Sequence, residues 1–204
     1  MRGIYAIVNE GGRDPLVVAG AVLASGVRIL QYRAKAGIVP ATARALRRMT
    51  LECAALCVMN DDVEAALEYG YDGVHVGPDD RGFADLASLR AALGEGGLVG
   101  VSCGTPDEAR AAEAAGADYI GVGAVYATAT KADAGEPIGI EGLVRVAAAT
   151  VLPVAAIGGI GLAQIPAIRA TGVAMAAVVS AIADARNPKA AAEALVRAWN
   201  EEDV

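Results

Sequence analysis

Gln31, Arg33 and Lys35 stand at alternate positions where the apolar run Val27-Arg28-Ile29-Leu30 ends. In an extended strand, side chains at i, i+2 and i+4 leave one face together, so an amide and two cations aim at one point. Such a cluster suits an anion. Acidic groups follow in Asn60-Asp61-Asp62 and Gly77-Pro78-Asp79-Asp80, each closing another apolar run. Carboxylates combined with substrate phosphate oxygens are what Mg²⁺ prefers, and Asp61 and Asp80 are the expected ligands. Asp62 and Asp79 are rivals beside them, and Asp80 has an alternative as a helix N-cap. Later, Gly158-Gly159 and Ser180 combine glycines, which let an anion approach the main chain, with an expected helix start. The chemistry these residues point to is the gripping of phosphate groups.

These groups need a scaffold that brings distant segments together. Strand-like apolar runs begin near Ile4, Val27, Ala55, Gly73, Leu98, Tyr119, Pro153 and Val173, a spacing of about 24 residues, the length of a βα repeat. Ala-rich helical stretches lie between them, among them Pro15 to Ser25, Val39 to Thr50, Asp85 to Leu93, Pro106 to Ala115, Ile140 to Ala149 and Leu162 to Thr171. Eight such alternations predict an α/β chain forming a single (β/α)8 TIM barrel over residues 1–204. An open, doubly wound sheet is the alternative, but no Gly-x-Gly-x-x-Gly follows the first strand. In a barrel of this kind the polar segments named above, with Ser102 and the loop carrying Thr128, Thr130 and Lys131, all fall at one mouth.

Composition narrows the partners. The 204 residues carry a formal charge of −7 and a pI near 4.8, which argues against a nucleic-acid or anionic-membrane surface. Residues 146–168 are apolar enough to resemble a membrane span, but Pro153, Gly158, Gly159, Gly161 and Pro166 divide them into strand, turn and helix. The apolar stretch before Asn9 is too short for a secretory signal, so a cytoplasmic chain is expected. Cys53, Cys57 and Cys103 have neither disulfide nor zinc spacing and are expected to be small buried residues. His75, the one histidine, lies within a strand and is expected to pack structurally, as is Trp199. Tyr5 and Tyr119 could wall the mouth or fill the core.

Taken in order, Gln31-x-Arg33-x-Lys35, Asn60-Asp61, Gly73-Val74-His75-Val76-Gly77 with Asp80, Gly100-Val101-Ser102, Thr128-x-Thr130-Lys131 and Ile157-Gly158-Gly159-Ile160 resemble the thiamine-phosphate synthases. That resemblance covers nearly the whole chain. It implies a transferase that joins hydroxymethylpyrimidine pyrophosphate to hydroxyethylthiazole phosphate, releasing pyrophosphate, with Mg²⁺ as cofactor. It implies Asp61 and Asp80 as metal ligands. Arg33, Lys35, Asn60, Ser102 and Lys131 would grip pyrophosphate, with Arg33, Lys35 and Lys131 stabilising the leaving charge, and Gln31 would meet the pyrimidine. Thr128, Thr130, Gly159, Val179 and Ser180 would hold the thiazole phosphate. The expected partners are thus small molecules, with no nucleic acid or membrane, and self-association as a homo-oligomer stays open. The loop from Tyr126 to Pro137 is expected to act as a lid.

Three positions depart from the family pattern. Asp62 stands where Arg is usual, Pro78 where Gln is usual, and Gly104 where His is usual. Asp62 adds negative charge beside the expected metal, and Pro78 removes an amide donor. Rival readings are a thiazole tautomerase, which depends on the histidine that Gly104 replaces, and a catalytically silent phosphate-binding barrel. A Schiff-base aldolase using Lys35 or Lys131 is a third.

Overall fold

The apolar runs pair side by side because a βα unit returns each strand parallel to the last, with its helix covering the outer face. A computed structural model describes residues 1–77, 86–130 and 135–201 of the chain. The strands are β1 (Gly3–Asn9), β2 (Ile29–Arg33), β3 (Leu56–Asn60), β4 (Gly73–Val76), β5 (Leu98–Cys103), β6 (Tyr119–Val122), β7 (Val154–Ala156) and β8 (Met175–Val178). They follow sequence order around a closed parallel barrel, β8 returning to β1 through the register Gly3↔Met175 to Ala6↔Val178. The chain is a (β/α)8 TIM barrel.

Helices α1 (Pro15–Ala24), α2 (Pro40–Glu52), α3 (Val63–Glu68), α4 (Leu86–Leu93), α5 (Pro106–Ala114), α6 (Gly139–Ala147), α7 (Ile165–Ala170), α8 (Ser180–Ala183) and α9 (Pro188–Asn200) surround it. Local chemistry sets several of their starts. Asp14 accepts the Leu16 N–H ahead of α1, Asn187 accepts that of Ala190 ahead of α9, and Thr105 with Glu108 forms a capping box on α5. Proline at the first turn of α1, α2, α5 and α9 removes an N–H that would have no partner there. Residues 146–168 divide as expected into the end of α6, β7 and a 3-10 turn running into α7. No described helix is long and apolar enough to cross a membrane.

Strand alternation sorts the core into two apolar bodies. Outward-facing Leu30, Ile120, Ala156 and Val178 pack against helix residues such as Leu46, Leu143, Ile165, Ile168 and Trp199. Inward-facing Ile29, Val58, Ala155 and Met175 plug the lower barrel beneath Tyr5 and Tyr119. Below that plug, Asp72 accepts two bonds from Arg47, at 2.8 and 3.0 Å, and the Cys57 N–H at 2.7 Å. Asp118 does the same work between Arg90, at 2.5 Å, and the Val99 N–H, at 2.7 Å. Each carboxylate therefore clamps the starts of neighbouring strands.

Candidate active site

On β2 the inward positions are Ile29, Gln31 and Arg33, and on β3 they are Leu56, Val58 and Asn60. The first of each set feeds the plug and the last reaches the mouth. There, Gln31, Arg33, Lys35, Asn60, Asp61, Ser102, Thr128, Thr130, Gly159, Val179 and Ser180 line one cavity of about 390 Å³. A second cavity of about 530 Å³ opens over the β7 and β8 side and shares Thr128, Thr130, Gly159, Val179 and Ser180. Of the expected site residues, only Asp80 and Lys131 lie outside the described residues, as do Pro78 and Asp79 and the centre of the expected lid.

The electrostatics of the two sides differ. On the β2–β3 side, Lys35 forms an ion pair with Asp61. The Lys35 side chain is about half exposed, so this pair contributes little to folding. Arg33 makes no side-chain hydrogen bond or ion pair among the described residues. Asp61 is one of two described non-glycine residues with left-handed backbone, at φ 63°, and its N–H donates to His75 O at 2.9 Å. Backbone strain held in place at a polar residue in a cavity is a feature of working sites. The carboxylate of Asp61 and the amide oxygen of Asn60 are hard donors beside two cations, a set that fits Mg²⁺ when phosphate oxygens complete it.

On the β7–β8 side the donors are main chain. Among the described residues, the N–H groups of Gly159, Ser180 and Ala181 have no acceptor. Glycine is required at 159, where φ is 64° and a Cβ would stand 2.5 Å from Ala127 O. The loop after β6 is laced to this turn by Val125 N–H to Ile157 O, 2.8 Å, and Tyr126 N–H to Gly158 O, 3.0 Å. Its far end is held by Ile138 N–H to Ala124 O at 2.9 Å. The helix beginning at Ser180 has only four residues, so the pull on an anion comes from free N–H groups rather than from a long helix dipole.

This arrangement of anion-gripping groups around a TIM-barrel mouth can be set beside known proteins. The model of a family described as thiamine monophosphate synthase matches residues 4–182. The chain belongs to that family. It is 38% identical to the thiamine-phosphate synthase of Caldivirga maquilingensis over 98% of both chains. It is 44% identical to a thiamine biosynthesis bifunctional protein of Symbiobacterium thermophilum, aligning 95% of this chain with 40% of that longer relative. The solved thiamine phosphate pyrophosphorylase of Pyrococcus furiosus superposes with a TM-score of 0.84 at 31% identity, covering 96% of this chain and 94% of that one. As a member of the thiamine-phosphate synthases, the chain is a transferase of thiamine biosynthesis.

Two of the three departures, Asp62 and Gly104, lie among the described residues. Asp62, expected to crowd the metal with charge, turns away to cap α3, accepting the Ala65 N–H at 2.9 Å. Gly104 donates its N–H to Glu108 at 2.6 Å, and Thr105 does so at 3.0 Å. Cys57 and Cys103 are buried, and burial pushes both thiols up to about 12, so neither is a nucleophile at neutral pH.

Two cavity residues escaped the sequence reading. Asn9 ends β1 with a buried Oδ1 that has no hydrogen-bond partner among the described residues, and it lines both cavities. Its signal was the inward alternation Tyr5, Ile7, Asn9. His75 was expected to pack structurally, yet it lines the cavity and bonds through both ring nitrogens to Tyr119 and Ser102. Gly100, opposite His75 in the barrel register, and Gly121, opposite Ser102, were the signal there.

Proposed function

We propose that this chain condenses hydroxymethylpyrimidine pyrophosphate with hydroxyethylthiazole phosphate, giving thiamine phosphate and pyrophosphate. The observation that carries the proposal is one mouth with two unlike anion grips. The β2–β3 side offers Arg33, Lys35 and Asn60, and the β7–β8 side offers the free N–H groups of Gly159, Ser180 and Ala181. The first suits a highly charged leaving group. The second suits a phosphate monoester that stays attached to its thiazole.

Breaking the carbon–oxygen bond leaves negative charge on departing pyrophosphate, and Arg33 and Lys35 stabilise it from the β2 edge. Asn60 and Ser102 orient the same group. Gln31 holds the pyrimidine, whose amino-substituted ring carries the positive charge left on its methylene. The thiazole nitrogen attacks that carbon while Thr128, Thr130, Val179 and Ser180 keep its phosphate in place, so positioning replaces a protein nucleophile. By the family resemblance Lys131 adds a third cation. Asp61 with Asp80 would hold Mg²⁺, and when bound the metal would neutralise pyrophosphate charge.

A turnover assay with both substrates tests this. Pyrophosphate and thiamine phosphate should form in equal amounts, stop with EDTA and resume with excess Mg²⁺. Absence of thiamine phosphate under those conditions would reject the proposal.

A further inference from the structure

Five side chains from five strands form one row of hydrogen bonds across the barrel, beneath the cavity. Gln31 Nε2 donates to Tyr5 Oη at 2.7 Å, and Tyr5 Oη lies 2.8 Å from Tyr119 Oη. Tyr119 Oη is 3.1 Å from His75 Nδ1, and His75 Nε2 is 3.0 Å from Ser102 Oγ. Gln31, Tyr5, His75 and Ser102 line the cavity floor, while Tyr119 lies wholly buried behind them. The sequence makes room for this row at a specific place. A Cβ on Gly100 would stand 2.2 Å from the Tyr119 ring and 2.5 Å from His75 Nδ1, and one on Gly121 would stand 3.1 Å from His75 Cε1.

Counting protons gives the row a direction. Tyr5 accepts from the Gln31 amide, so its own proton goes to Tyr119, and the Tyr119 proton goes to His75 Nδ1. A neutral imidazole that accepts at Nδ1 carries its proton on Nε2 and donates it to Ser102. The Ser102 hydroxyl proton is then left for the cavity. Reversing the row would turn the Gln31 amide over and point its N–H groups at the cavity. Arg33, two residues along the same face, favours the carbonyl oxygen there instead. A doubly protonated His75 would leave the buried Tyr119 proton with no acceptor, a costly loss. Burial also raises both tyrosine hydroxyls far above their usual range, which keeps the row protonated at neutral pH.

We infer that Tyr5, Tyr119 and His75 are positioning residues that fix Gln31 as an acceptor and Ser102 as a donor toward the cavity. The matching ligand is a flat heteroaromatic ring with an N–H donor on the edge facing Gln31, carrying an acceptor oxygen that faces Ser102. The identity of that ring as an aminopyrimidine rests on the function proposed above. The direction of the row does not.

The test uses substrate-free protein with ¹⁵N-labelled histidine, in which His75 gives the only imidazole signals. At neutral pH, Nε2 should carry the proton and Nδ1 should not. Tyr119→Phe removes the donor to Nδ1 while keeping the ring, and should replace the single tautomer with a mixture. Tyr5→Phe should keep the Nε2–H form, because Tyr119 still donates to His75. In turnover, both variants should raise KM for the pyrimidine substrate by about tenfold and that for thiazole phosphate by less than about twofold, the scale of one lost hydrogen bond. A proton on Nδ1 or on both nitrogens in the unsubstituted protein would overturn the inference. So would an unchanged imidazole spectrum in Tyr119→Phe, or equal changes in both KM values. If the chain proves not to make thiamine phosphate, the spectra still decide the direction of the row.

Discussion

The two ends of the barrel use the same residue types for opposite purposes. At the lower end, Arg47 meets Asp72 and Arg90 meets Asp118, and each carboxylate also accepts the second N–H of a strand. Their charges are spent on one another. At the mouth, Arg33 has no partner among the described residues, Asp61 pairs with a half-exposed lysine, and three backbone N–H groups beyond β7 and β8 await an acceptor. A protein can leave such groups unsatisfied only where water or a ligand reaches them. Paired charge therefore marks where the barrel is held together, and Arg33 with the three backbone N–H groups marks where binding is proposed.

Substitutions at the two ends should separate accordingly. The largest effect is expected for Asp61→Ala, which should lower turnover by at least about a thousandfold if, as proposed, it removes a ligand for the cation that neutralises the leaving group. Thermal melting should barely change, and a large drop in melting temperature would place Asp61 with the structural charges. Arg33→Ala should lower kcat/KM by about a hundredfold, with weakened dependence on salt, as expected when a transition-state cation is lost. Asp72→Ala is the counterpart at the lower end. It should cost about 2–4 kcal/mol in urea unfolding, because Arg47 and the Cys57 N–H lose their acceptor, while activity per folded molecule is retained. Loss of kcat without loss of stability there would break the contrast.

The smallest effect concerns the outer face of β2. Burial and then the neighbouring Glu10 carboxylate push Tyr32 from its ordinary value near 10 to about 12. Folding thus favours the neutral hydroxyl. That contribution is complete below pH 10, where the unfolded tyrosine is also neutral, and is lost as pH rises from about 10 through about 12. Melting temperature should fall across this window, and Tyr32→Phe should make the fall shallower. An equally steep fall in the variant would assign the alkaline instability elsewhere.

Much of this was legible in the sequence. Periodicity placed every strand start within two residues, as with Val27 against the observed Ile29 and Val173 against Met175, because buried parallel strands are continuous apolar runs between helices. Gln31, Arg33 and Lys35 converge as alternation demands. Asp62 was misjudged because charge alone does not tell whether a carboxylate faces a site or caps a helix, whereas its position ahead of Val63 decides it. Asn9 and His75 were missed for another reason. Polar residues in the loops after the strands announce a barrel mouth, whereas these two point inward from the strands themselves, and only the register across β4, β5 and β6 reveals why glycine stands opposite His75.

The central claim is that one mouth holds two anions by different means, charge on the β2–β3 side and backbone N–H groups on the β7–β8 side. Calorimetry with pyrophosphate plus Mg²⁺, and separately with hydroxyethylthiazole phosphate, on Arg33→Ala and Ser180→Asp tests it directly. Arg33→Ala should weaken pyrophosphate by at least about tenfold and leave thiazole phosphate within about twofold, and Ser180→Asp should do the reverse. If each variant weakens both ligands equally, the mouth is a single anion site and the account is wrong.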